Sequence, residues 1–220
     1  GVVASRTGTL KLDGTRVETS GKTAYGAYAS SAGIINSQNA DYITHGDSAY
    51  GVYSRAAGSL IDITGGSVTT RGTKAYGLVA GSGGSLTADG VNVVTHGDQS
   101  FGVFANLAGT EVTLAGGAVT TSGTNAYGLA AISGGTLNAS GVQVATSGQD
   151  AHGLYSVGSG TMTVSDAYVS TSGGKAHGGY ASGEGSVLNV DNSSFAVSGA
   201  GANGLNADAK STLNASNSDI

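Results

Sequence analysis

Val119-Thr120-Thr121-Ser122-Gly123-Thr124-Asn125-Ala126-Tyr127-Gly128-Leu129-Ala130 carries two recurring phrases: Val-x-Thr-x-Gly, then Ala-aromatic-Gly followed by an apolar residue. The second phrase anchors a repeat. It returns as Ala24-Tyr25-Gly26, Ala49-Tyr50-Gly51, Ala75-Tyr76-Gly77 and Ser100-Phe101-Gly102, then as Ala151-His152-Gly153, Ala176-His177-Gly178 and Ala202-Asn203-Gly204. Successive anchor glycines lie 25, 26, 25, 26, 25, 25 and 26 residues apart. A unit that recurs eight times at fixed spacing marks a repeat architecture.

Each unit holds three short strand-like segments separated by Gly, Asn, Asp and Ser, which is turn chemistry. The first follows the anchor (Gly77-Leu78-Val79-Ala80). The second starts at another glycine (Gly84-Ser85-Leu86-Thr87-Ala88), and the third is the Val-x-Thr-x-Gly phrase. No stretch carries a 3.6-residue period. The pattern predicts an all-β fold, a three-sided parallel β-helix (β-solenoid) with about 25–26 residues per coil. Right-handed winding follows from the general preference of parallel crossovers. Strands stacked ~4.8 Å apart make the eight anchors a rod of roughly 40 Å. The extra residue of the 26-residue units falls before the second segment, where a bulge or longer corner absorbs it without turning the inward face.

The repeat turns positions into columns along the rod. Val17, Tyr42, Val68, Val93, Val119, Val144, Val169 and Phe195 form an apolar inward column. Two residues on, Thr19, Thr44, Thr70, Thr95, Thr121, Thr146, Thr171 and Val197 share that face, a polar ladder whose hydroxyls bond each other or nearby backbone. The anchor aromatics, with His152, His177 and Asn203, are expected inside or at a corner, stacked ring on ring. A second aromatic column, Tyr28, Tyr53, Phe104, Tyr155 and Tyr180, interrupted by Val79, Ala130 and Asn206, is expected to face outward. There it either covers bare glycines of the same sheet or offers a strip to sugar rings or a partner surface. These five residues are the candidate binding positions.

Composition bounds the remaining classes. Forty glycines in 220 residues, with no proline, are compatible with a linker, but 39% hydrophobic residues in regular columns argue for a packed fold. A net charge of −5 without a basic patch gives nucleic-acid binding no support. Absence of cysteine removes disulfides and thiolate metal sites. No apolar run is long enough to span a bilayer, so no membrane insertion is expected. The chain reads as one domain over residues 1–220, its start unlike a signal peptide and its end in mid-pattern, as in a segment of a longer protein.

Chemistry is sparse. Asp13, Asp41, Asp62, Asp89, Asp98, Asp150 and Asp166 fall at differing repeat positions and do not converge as paired acid and base groups would. The coincidence of Thr44-His45-Gly46-Asp47 with Thr95-His96-Gly97-Asp98 lies two coils apart, ~10 Å, too far to share a metal. Calcium nonapeptides and phosphate loops are absent. The outward neighbours of the third segment are too mixed for an ice-binding threonine array. No catalytic residue, metal or cofactor is expected.

Thr121 to Ala130, and Gly134-Gly135-Thr136-Leu137-Asn138-Ala139-Ser140-Gly141, resemble the passenger regions of pertactin-like autotransporters of Gram-negative bacteria. The resemblance covers nearly the whole chain. It implies export through the periplasm, display at the bacterial cell surface or outside it, and in many members adhesion. The expected function is therefore a non-enzymatic adhesin segment. Its partners would be a host surface glycan, a matrix protein or another copy of itself. The alternatives are a passive stalk, or a polysaccharide-active β-helix enzyme or phage tailspike fragment.

Overall fold

A computed structural model describes residues 1–220. The chain is a three-sided parallel β-solenoid without helix. One coil shows the plan, with strands Leu78–Gly81, Ser85–Asp89 and Asn92–Thr95 on three successive faces. Every strand pairs in parallel with its counterparts one coil before and after, so the first and second sheets each have nine strands and the third has eight. The ninth strand of the first sheet is Val2–Ser5, a coil that the eight anchors do not count because it precedes the first of them.

The inward columns are those expected. Val68, Val93 and Val119 stand in register in the third sheet, and Ile61, Leu86 and Val112 in the second. All are buried in one continuous core that runs the length of the rod. The second corner turns on a left-handed residue in every coil, Gly14, Asn39, Gly65, Gly90, Gly116, Gly141, Asp166, Asn192 and Asn217, followed by a second one at Gly66 and Gly117. Only glycine, asparagine and aspartate occupy that column, the residues that tolerate this backbone at least cost.

The 25-to-26 alternation resides in the corner between the first and second strands. Most coils use three corner residues there, as at 82–84 and 133–135, and the longer coils use four, at 56–59, 107–110 and 183–186. The short corners at 33, 84, 135 and 160 end in glycine, where a side chain would run into the main chain of the preceding coil. The long ones end in Ser59, Thr110 and Ser186, whose hydroxyls accept the N–H groups of Ala32, Gly83 and Ser159 at 3.2, 3.0 and 3.0 Å. The added residue thus satisfies a donor in the coil before it.

The threonine ladder bonds to backbone rather than to itself. Thr70, Thr95, Thr121, Thr146 and Thr171 each donate to the carbonyl five residues on, at 2.6–2.8 Å. Thr19 and Thr44 have no partner for their buried hydroxyls. A buried hydroxyl without a partner costs stability, whereas a satisfied one contributes about 1 kcal/mol. Thr121→Val is therefore expected to lower stability by about 1 kcal/mol and Thr44→Val to raise it by a similar amount. Urea titration of both variants checks the opposite signs.

Candidate functional site

The outward aromatics and the anchor aromatics form one strip on the outer side of the first sheet. Tyr28, Tyr53, Phe104, Tyr155 and Tyr180 are half-buried and face outward, as expected. The anchor rings lie at the corner, as one of the two expectations had it, and point out rather than in. Strict alternation would have put them beside Leu78 and Leu129. It fails because the chain bends at the anchor glycine, which itself becomes an inward position. A Cβ on Gly77 or Gly128 would strike the inward valine of the same coil, Val93 or Val144. Since these glycines face the core, the outer rings do not cover them; the covering role expected for that column is met at Gly81 of the same sheet, where the Tyr53 phenol lies 3.2–3.7 Å from the position of a Cβ.

Along the anchor column, ring centroids are 5.1 Å apart for Tyr50–Tyr76, 5.0 Å for Tyr76–Phe101, 4.8 Å for Phe101–Tyr127, 5.3 Å for Tyr127–His152 and 5.0 Å for His152–His177. Interplanar angles in this run are 10–26°. The outer column packs against it, edge-on at Tyr50–Tyr53 and Phe101–Phe104 and stacked at Tyr127–Tyr155, 4.0 Å apart. Two of the three interruptions are not gaps: Val79 and Ala130 are buried. Near-parallel rings this close lie face over face, so their faces are used up by neighbours and their edges meet solvent. The strip offers phenol hydroxyls and ring edges rather than open platforms for sugar rings.

Burial pushes the hydroxyls of Tyr50, Tyr53, Tyr76 and Tyr155 above the usual tyrosine range, and that of Tyr127 further, with Tyr155 adding to the effect. These groups stay neutral donors at physiological pH. Burial also holds His152 down at about 4, from 6.5, with His177 beside it acting the same way and Asp150 opposing. Around these two histidines the strip deepens into a shallow depression of about 410 Å³, lined by Tyr127, Asp150, His152, Tyr155, Lys175, His177 and Tyr180. Lys175 was not singled out in the sequence, and Asp150 was named there only among acids that do not converge. Their signal was there, since both stand two residues before an anchor histidine, on a left-handed corner position.

The remaining polar coincidences link coils. Asp47 accepts the Thr73 N–H at 3.0 Å and Asp98 accepts that of Thr124 at 2.8 Å, so the two His-Gly-Asp phrases cap the next coil. His45 pairs with Glu18 at 2.8 Å on the exposed face of the third sheet, where Arg16 also meets Glu18 at 2.7 Å. Asp166 accepts from Asn192 at 2.6 Å, and Asp191 from Ser216 and Asn217 at 2.7 and 3.0 Å. No three histidine or acidic side chains converge as metal ligands. No protein-family model, curated protein or solved structure matches the chain.

Proposed function

We propose that this chain is a non-catalytic adhesive rod, displayed at the surface of a Gram-negative bacterium as the passenger region of an autotransporter, and that it binds along the outer side of its first sheet. The observation that carries the reading is the aromatic strip, which repeats one kind of contact in coil after coil. Tyr25, Tyr50 and Tyr76 follow one another in consecutive coils, the first pair tilted at 53° with centroids 5.6 Å apart and the second stacked at 5.1 Å. The hydroxyls of Tyr42 and Tyr180 donate to other side chains, at 2.8 and 3.4 Å, whereas those of Tyr25, Tyr50 and Tyr76 are left for an outside partner.

A row of hydroxyls at the strand spacing of ~4.8 Å suits an extended, hydroxyl-rich polymer better than a peptide strand, which advances only ~3.3 Å per residue. The residues of a β-1,4-linked glycan advance by nearly the strand spacing. Such a ligand lying along the rod makes one weak contact per coil, and the contacts multiply into useful affinity because the rod holds them in line.

The test is a glycan and matrix-protein binding screen with self-association measured alongside. A triple variant, Tyr25→Phe, Tyr50→Phe and Tyr76→Phe, removes three hydroxyls but keeps the stack, as Phe101 already does in that column. Binding to a linear glycan is expected to fall at least tenfold, with thermal stability unchanged. A chain that binds neither glycan nor matrix protein and stays monomeric overturns adhesion and leaves a passive stalk.

A further inference from the structure

Two members of the anchor ladder differ in kind from the others. At Tyr76, Phe101 and Tyr127 the anchor residue's own backbone N–H finds no acceptor. The histidines provide one for the coil that follows. Nδ1 of His152 accepts the His177 N–H at 3.0 Å, and Nδ1 of His177 accepts the Asn203 N–H at 2.9 Å. An accepting Nδ1 places the proton of the neutral ring on Nε2. Nε2 of His177 lies 3.3 Å from the Asn206 amide, which then turns its oxygen to the ring. The two imidazoles stack 5.0 Å apart at 11°, His152 against Tyr127 on one side and His177 beside Tyr180 on the other.

The geometry points to an acid-responsive latch: neutral His152 and His177 tie three successive coils together through their Nδ1 atoms, and protonation there releases them. A proton on Nδ1 replaces an acceptor by a donor facing the very N–H it had held. Both bonds must open, and two like charges then stand in adjacent stacked rings. Because Tyr155 and Tyr180 rest on His152, 5.6 and 4.9 Å away, the outer strip loosens with the latch. The latch stands whether or not the strip binds a glycan.

The groups facing the pair are Asp150 and Lys175 on the corner, the phenols of Tyr127, Tyr155 and Tyr180, and Asp208 through the Tyr180 hydroxyl at 3.4 Å. The Asp150 carboxylate favours charged imidazoles and the Lys175 ammonium opposes them, while the phenols stay neutral. Burial prevails, holding His152 at about 4 and lowering His177 as well. The folded chain therefore refuses a proton that the unfolded chain accepts. Stability is full above pH 6.5, falls as pH drops below it, and has lost the His152 contribution near pH 4. That contribution corresponds to about a 300-fold change in the folding constant.

Urea unfolding of the whole chain between pH 7.5 and 4.5, followed by circular dichroism, reads the effect. The native chain is expected to lose at least tenfold in its folding constant by pH 5, and the double variant His152→Phe/His177→Phe to lose most of that slope. The amide resonances of His177 and Asn203 are expected to move together over the same range. Equal slopes in native and variant chains overturn the latch, as do unmoved amides down to pH 4. If the double variant does not fold, the amide titration of the native chain decides alone.

Discussion

Gly128→Ala is expected to destabilise the rod by about 3 kcal/mol or more, at the upper end of what overpacking costs. The added Cβ would meet Val144 Cγ1 and, at 2.6 Å, the carbonyl oxygen of Gly153. One obstacle belongs to the packed core and the other to the main chain of the next coil, so neither yields without disturbing the stack. Each coil is held only by its neighbours, and a defect in a central coil uncouples the two halves. Urea curves should become broader or split into two steps. Gly90→Ala is the control: it has a left-handed backbone (φ +63°) but nothing within 4 Å of the new atom. Its cost should be about 1 kcal/mol, from the backbone alone. If Gly90→Ala proves the more damaging, the inward placement of the anchor glycine is wrong.

Leu154→Ala is expected to cost about 4 kcal/mol, within the usual range for a large-to-small change in a core. Leu154 is fully buried and pairs in register with Leu129 on one side and Gly179 on the other. Gly179 is the one bare position among the inward leucines and valines of the full coils. Leu205 and Leu188 lean over it already, within 2.7 and 3.1 Å of where its Cβ would be. Truncating Leu154 sets two small residues side by side, and the leucines beside the space are already committed. Calorimetric unfolding of this variant beside Leu129→Ala checks the argument. A loss below 2 kcal/mol for Leu154→Ala would show that the neighbours still move.

Most of the fold was legible because stacking turns sequence period into register. Once Val93 aligned with Val68 and Val119, the inward faces, the strand count per coil and the place of the extra corner residue all followed. The N-terminal coil escaped because its strand, Val2–Ser5, has no anchor before it. The direction of the anchor rings escaped because alternation holds along a strand and fails at a bend. The site was less legible for a related reason. Tyr127 and Tyr155 are neighbours only after the chain has wound once, and the pairing of the two aromatic columns depends on that bend. A histidine ring holding a backbone N–H 25 residues away is likewise set by coil geometry, and no local pattern announces it.

The corner hydroxyls of Ser59, Thr110 and Ser186 all reach back to the preceding coil, as do the carbonyl partners of the parallel ladders on either side of them. Every such contact spans one winding of the chain, however many windings there are. Lengthening the rod therefore adds contacts without raising the sequence distance that any of them must close. A loop-closure cost that stays constant lets each new coil settle on a finished template as soon as its residues arrive. Growth of this kind can start at any coil and spread to its neighbours, at a rate set by a single coil and not by the length of the whole.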